Sequence, residues 1–292
     1  MADPISVLVR RGEIVEAVHR VHAVAVRDGA VVDACGDPGL VSFLRSSAKP
    51  FQALPLARAR EDLDGRDLAI ASASHLGRPE HVAAVEALLA KAQASEADLE
   101  CGAEPSKVRH NCSGKHAGML ALCEARGWER RGYRLAGHPV QDGCRAEVAA
   151  AADVAPEQMP TGVDGCGVVT FALPLERMAR MFSRLEQVEG GAAVASAMRA
   201  HPELVRGGSA TDTVLMQRLP GWTAKGGAEG LFCAAGPDGL GIALKAEDGS
   251  SRPLGPAVAA FLARLGVEVP DLAVDPVSNS RGERVGEIVT KK

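Results

Sequence analysis

Aromatic side chains are nearly missing from this chain: two Trp, one Tyr and six Phe make up 3% of its 292 residues. A surface that grips single-stranded nucleic acid by stacking bases needs such rings, so that class of function is disfavoured. A basic excess is missing as well. Lys and Arg number 33 against 37 Asp and Glu, a formal net charge of -4, which leaves no footprint for a phosphate backbone or an anionic membrane. No apolar run approaches the roughly 20 residues of a membrane-spanning helix. Met1-Ala2-Asp3-Pro4 lacks the charged and apolar regions of a signal peptide. The seven Cys are scattered, odd in number and never spaced Cys-x-x-Cys. That excludes a zinc-finger spacing, argues against a disulfide framework and points to a reducing, cytoplasmic setting. Internal repeats and low-complexity tracts are also lacking.

What remains is ordinary for a globular protein: 46% hydrophobic and 24% charged residues. The length suits one large domain over residues 1–292, with a core built from Ala, Val and Leu. Residues 5 to 35 alternate apolar and polar positions, with turn signals at Arg11-Gly12 and Asp28-Gly29. They predict a two- or three-strand antiparallel meander with Val7, Val9, Val15 and Val18 facing inward. From Val41 the pattern lengthens toward helix, and a helical region is expected over about residues 45 to 205. Leu231–Ala235 and Leu240–Lys245 predict strands joined by Gly236-Pro237-Asp238-Gly239. A helix is expected over Leu254–Leu265, and the polar tail beyond Val269 is expected to pack poorly. Strands at both ends of a helical middle imply an α/β (α+β) fold whose N- and C-terminal strands share one sheet.

Three stretches concentrate reactive groups. Arg109 to Met119 packs two His, a Cys, a Lys and an Asn into eleven residues. Downstream, Gly162-Val163-Asp164-Gly165-Cys166-Gly167 fixes Asp and Cys between glycines; upstream lies Ser46-Ser47-Ala48-Lys49-Pro50. A serine is a poor nucleophile until a base takes its proton. On a helix, Ser46 and Lys49 share a face about 5–6 Å apart at Cβ, and the Ser-x-x-Lys pattern recurs in acyl-serine enzymes. A Ser cap beside a solvated Lys produces the same four letters. Lys225-Gly226-Gly227 supplies the later Lys-small-Gly element of those enzymes, or a surface turn. Ser74-His75 ends a buried segment and faces a cleft or caps a helix, with Ser72 its neighbour and competitor. Cys112 and Cys166 read as buried thiols, a disulfide or metal ligands; His110, Lys115, His116 and Asp164 crowd around them as further donors. His19, His22, His81 and His201 carry no partner in sequence, and Trp128 and Trp222 read as packing residues.

In this order, Ser46-Ser47-Ala48-Lys49-Pro50-Phe51-Gln52, Ala73-Ser74-His75, Asn111-Cys112-Ser113-Gly114-Lys115-His116 and Gly162 to Gly167 resemble the Rhizobium etli-type (class 3) L-asparaginases, the asparaginase II family. The resemblance covers roughly residues 5 to 266. It implies a serine-β-lactamase/glutaminase-like fold, hydrolysis of L-asparagine to L-aspartate and ammonia, and a homodimer. It also implies two Ser–Lys tandems, Ser46 with Lys49 and Ser74 with Lys225. Zinc is implied on Cys112, Lys115 and Cys166, supporting substrate binding rather than forming the nucleophile. Asp164, His116, Arg45 and Asn111 are the implied substrate-binding residues. An ammonium cannot coordinate, so Lys115 must be neutral beside zinc. One departure stands out: where relatives commonly carry a Cys in a Gly-Thr-Gly-type loop, this chain has Gly208-Ser209-Ala210-Thr211-Asp212-Thr213.

Two other readings stay open. One keeps the acyl-serine chemistry but takes glutamine or a β-lactam-like ring. The other is a non-catalytic module clamped by zinc at Cys112 and Cys166, which leaves Lys49 and Lys225 unexplained.

Overall fold

The alternating N-terminal residues form the meander their period predicts. In the computed structural model, which describes residues 2–103 and 105–291, strands β1 (Ile5–Arg11), β2 (Ile14–Arg27) and β3 (Ala30–Cys35) pair antiparallel. Gly12, Asp28 and Gly29 take positive φ at the two turns, which is why Gly and Asp stand there.

Val7 and Val9 are buried as expected, but Val15 and Val18 are 44% and 57% exposed. Pairing explains the difference. Val7 lies opposite His19 and Val9 opposite Ala17, whereas Val18 lies opposite Leu8 and, past a bulge, Val15 opposite Arg10. Directly opposed residues share a face, so Val15 and Val18 fall on the side away from Val7 and Val9.

Residues 41–43 correct the second expectation. They form strand β4 (Val41–Phe43), which joins β5 (Thr161–Val163) and β6 (Val169–Pro174) in a small sheet ordered β4-β6-β5. Helix cannot begin there because Arg45 sits at φ 47°, a left-handed conformation that costs a non-glycine residue energy. Helical turns start only at Arg45–Ala48 and Lys49–Gln52, so Ser46 and Lys49 do not share one continuous α-helix.

Strands β7 (Thr223–Gly226), β8 (Leu231–Ala235), β9 (Gly241–Ala246), β10 (Val274–Ser278) and β11 (Arg284–Thr290) complete the large sheet, ordered β10-β11-β1-β2-β9-β8-β7, with β3 also on β2. N- and C-terminal strands therefore share one sheet, as expected. The tail beyond Val269 does not pack poorly: β11 pairs along β1, and Leu272 and Ile288 are buried.

Helices Leu175–Ser183 and Leu254–Arg264 pack on the sheet. The first ends at Ser183. A chain poor in aromatics packs by close approach instead. A Cβ on Gly114 would fall 2.1 Å from the Ile70 carbonyl oxygen, so helix Ser113–Arg126 seats directly against helix Gly65–Ala71. That contact aligns the residues following the second helix with those opening the first. All seven cysteines are free and buried.

Candidate active site

Ser74 lies three residues beyond helix Gly65–Ala71, its N–H donating to Val205 O at 2.7 Å. Its Oγ accepts from two lysines: Lys49 Nζ at 2.9 Å and Lys225 Nζ at 2.9 Å. Lys225 comes from β7, whose four residues are all buried, and Nζ also donates to Gly226 O at 2.8 Å. Lys49 Nζ donates in addition to Ala73 O and, at 3.3 Å, to Cys112 Sγ. Ser46 is not among its partners. Ser72 is buried with its Oγ unpartnered among the described residues, so neither lysine serves it.

Burial sets the protonation of both lysines. A charged ammonium loses hydration inside the protein, which lowers its pKa. Lys49 is pushed down by burial against the upward pull of Cys112. Lys225 is lowered to about 7, mainly by burial, partly opposed by Asp212 and reinforced by Lys49. Asp212 is buried, 3.9 Å from Lys225 Nζ, and accepts from Gly226 N–H at 3.0 Å. Sequence reading missed its role, although it stands in the polar loop flagged as a departure.

Ser46, Ser74, His75, Asn111, Arg206 and Glu229 line one cavity of about 260 Å³. A larger cavity, about 700 Å³, lies by Glu100, Lys107 and Arg134 and holds neither serine. Its polar groups already satisfy one another: Arg134 reaches Glu100 at 3.3 Å and Lys107 donates to Ala97 O at 2.9 Å. Both serines line the smaller cavity, which makes it the candidate site.

His75, unassigned by the sequence, braces this arrangement. Its Nδ1 accepts from Gly77 N–H at 3.1 Å, which leaves the proton on Nε2 to donate to Ser113 Oγ at 2.9 Å. Burial first, then His81 stacked on it, lowers its pKa to about 3, so it stays neutral. The Ser74 loop is thereby tied to the start of helix Ser113–Arg126; His75 N–H adds a bond to Asn111 O at 3.2 Å.

The Cys112, Lys115 and Cys166 side chains converge beside Lys49. Lys115 Nζ lies 3.1 Å from Cys166 Sγ, and Cys166 Sγ lies 4.0 Å from Asp164 Oδ2. Of the pair, Cys112 is the thiol whose pKa is lowered: a hydrogen bond from Cys166 is the largest cause, and Lys49 helps against burial. Burial acts to lower Lys115, but Cys166, Cys112 and Asp164 outweigh it and raise its pKa. His116 Nδ1 meets Tyr133 Oη at 2.7 Å, while its Nε2 is buried with no partner among the described residues. No group of three or more His, Cys, Asp or Glu among those residues could hold a metal. A metal here must take Lys115 as a donor. Arg45 Nε binds Asp164 Oδ1 at 2.7 Å, so Arg45 and the Asp164–Cys166 turn are locked together.

Of the other histidines, His19 Nδ1 meets Asp248, His22 Nε2 meets Glu247 and His81 Nε2 meets Glu203 O, while His19 Nε2 is buried with no partner among the described residues. Trp222 is buried and Trp128 packs at the core's edge, as expected.

The family model of L-asparaginase II matches residues 7–290. No curated protein matches the chain. Among solved structures, Mglu in its native form is similar with a TM-score of 0.51 at 12% identity, over 86% of this chain and 66% of that one. The chain thus spans just under two thirds of that relative. A putative beta-lactamase from Bacteroides dorei DSM 17855 gives a TM-score of 0.46 at 13% identity, over 83% and 93% of the two chains. A probable glutaminase from Bacillus subtilis complexed with 6-diazo-5-oxo-L-norleucine gives 0.39 at 12% identity, over 85% of each. The expected mix of helix and antiparallel sheet, with N- and C-terminal strands in one sheet, is the one observed, and the fold is similar to that of Mglu.

Proposed function

The chain belongs to the L-asparaginase II family, and from that premise we propose that it hydrolyses L-asparagine to L-aspartate and ammonia through an acyl-serine. The observation that carries this reading is the shared hold of buried Lys49 and Lys225 on Ser74 Oγ, at the wall of the cavity that also contains Ser46.

In this mechanism Ser46 Oγ attacks the side-chain amide carbon, and its proton passes through Ser74 Oγ to neutral Lys49. Backbone N–H groups near Ser46 hold the oxyanion. As the C–N bond breaks, Ser74 returns a proton to the leaving nitrogen, which departs as ammonia. Water then cleaves the Ser46 ester, releasing L-aspartate. Arg45, Asp164, Asn111 and His116 orient substrate around the cavity.

Two sulfurs and an amine at one point suit zinc, which accepts thiolate and nitrogen ligands. Cys112, Lys115 and Cys166 would hold it, and the bound ion supplies a fixed positive charge that supports substrate binding. The homodimer implied by the family resemblance belongs to this reading; sedimentation of the purified protein tests it.

A second reading makes Ser74 the nucleophile. It is favoured by Lys49 donating to Ser74 and not to Ser46. Ammonia release from L-asparagine and from L-glutamine, measured side by side with and without zinc, tests the substrate. Ser46→Ala and Ser74→Ala test the roles: hydroxylamine trapping of the acyl group persists only in the variant that keeps the nucleophile. Full turnover in both variants rejects the serine mechanism altogether.

A further inference from the structure

The Ser46–Ser74 cavity contains a guanidinium that no group among the described residues engages. Arg206 is half-buried, follows helix Pro202–Val205, and lines both this cavity and an adjoining one of about 160 Å³. Its predecessor Val205 is the residue whose carbonyl accepts the Ser74 N–H. The backbone that fixes Ser74 thus also places Arg206. Among the described residues its side chain makes no hydrogen bond and no ion pair.

The other charges nearby are committed. Arg45 binds Asp164 at 2.7 Å, and Arg109 Nη1 donates to Gly77 O at 3.4 Å. Asp212 is the natural counter-ion for Arg206, yet its oxygens accept from Gly226 and Thr213 N–H at 3.0 and 3.1 Å and lie 3.9 Å from Lys225 Nζ. The Gly226 backbone runs beside both: a Cβ there would lie 3.3 Å from Asp212 Oδ2 and 3.5 Å from Arg206 Nη1. A partly desolvated guanidinium without an anion is an incomplete pair. Its planar fork of N–H donors matches a carboxylate.

We infer that Arg206 binds the substrate's free α-carboxylate and thereby restricts this site to amides of free amino acids. The inference rests on the amidohydrolase reading above, since that reading places the reacting amide at the two serines. Arg206 touches the end of the substrate that does not react, so it acts on binding and leaves the chemical step alone.

The test compares L-asparagine with 3-aminopropanamide, which carries the same side-chain amide and lacks the carboxylate. Ammonia release is measured for the wild type, Arg206→Met and Arg206→Lys, and L-aspartate binding is measured by calorimetry. Loss of one charged hydrogen-bonding partner predicts that Arg206→Met raises KM for L-asparagine about a hundredfold with kcat nearly unchanged. The same factor separates the two amides in the wild type and disappears in Arg206→Met, while Arg206→Lys recovers part of it. L-aspartate binding weakens about as much. Equal turnover of both amides by the wild type overturns the assignment, as does unchanged L-aspartate binding in Arg206→Met. If Arg206→Met does not fold, the wild-type preference and Arg206→Lys still decide. Absence of ammonia from every amide rejects the amidohydrolase reading, and the calorimetry then judges Arg206 by itself.

Discussion

Lys49 and Lys225 direct their Nζ atoms at one oxygen, each 2.9 Å from Ser74 Oγ. Burial pushes the pKa of both lysines down, and the Lys49 charge lowers that of Lys225 further. The arrangement comes from opposite parts of the chain, a short helical turn after β4 and strand β7. It forms only when the large sheet closes around the helical middle.

Replacing either lysine by Met is expected to lower the rate of ammonia release by about 10² to 10⁴, the range for loss of a general acid or base. Folding should survive, because Met has a similar size and spares the desolvation cost of a buried amine. Steady-state kinetics together with a thermal melt check this. Near wild-type rates with a normal melt in both variants would remove the lysines from the mechanism.

The pH dependence follows from Lys225. Lys225 can take a proton from Ser74 Oγ only when neutral, so where it shares that role with Lys49 the rate rises with pH through about 7 and levels off above it. Asp212 and Cys112 raise that pKa, whereas burial, Lys49 and Arg206 lower it. Asp212→Asn therefore moves the rising limb to lower pH. Stability carries the matching sign. Between about 7 and the ordinary lysine pKa of about 10.4, the folded state binds fewer protons than the unfolded chain. The Lys225 contribution to stability thus improves as pH rises across that window. A pH–rate profile of wild type and Asp212→Asn decides, and a limb unmoved by the substitution counts against Lys225.

Much of this was legible in the residues. The meander and the Gly236–Gly239 hairpin follow from period and turn chemistry, and the three reactive stretches do meet. The pairing within the site was not legible. Ser-x-x-Lys spacing predicts Ser46 beside Lys49, but Ser46 lies in a tighter 3-10 turn, Arg45–Ala48, and the α-turn begins only at Lys49. Lys49 then reaches Ser74 instead. Asp212 and Arg206 act across the fold on β7 and the Ser74 loop, contacts that no local spacing encodes. Val15 and Val18 were misplaced because a register set by β1 decides their face.

Zinc gives a prediction independent of turnover. Dialysed protein is expected to retain one zinc per chain, and Cys112→Ala, Cys166→Ala and Lys115→Met each to lose it, since three protein donors leave no spare. Metal analysis of the four proteins reads this out directly. Metal removal should raise KM for L-asparagine more than it lowers kcat, in keeping with a role in binding. Stoichiometric zinc in all three variants would place the metal elsewhere.

The C-terminal strands matter more than their polar composition suggests. Deleting residues 270–292 removes β10 and β11 together with the buried Leu272 and Ile288, 6% and 4% exposed, and uncovers the core that they pack against. Each buried side chain of this kind contributes about 1.5–3 kcal/mol. The deletion also leaves β1 as a bare edge open to pairing with other chains. Set against a total stability of about 5–15 kcal/mol, the loss is a large share. The truncated protein is expected to aggregate or to unfold without a cooperative transition. Circular dichroism melts and size-exclusion chromatography check this; a soluble truncation that melts like the full chain would mean that β11 contributes nothing to the sheet.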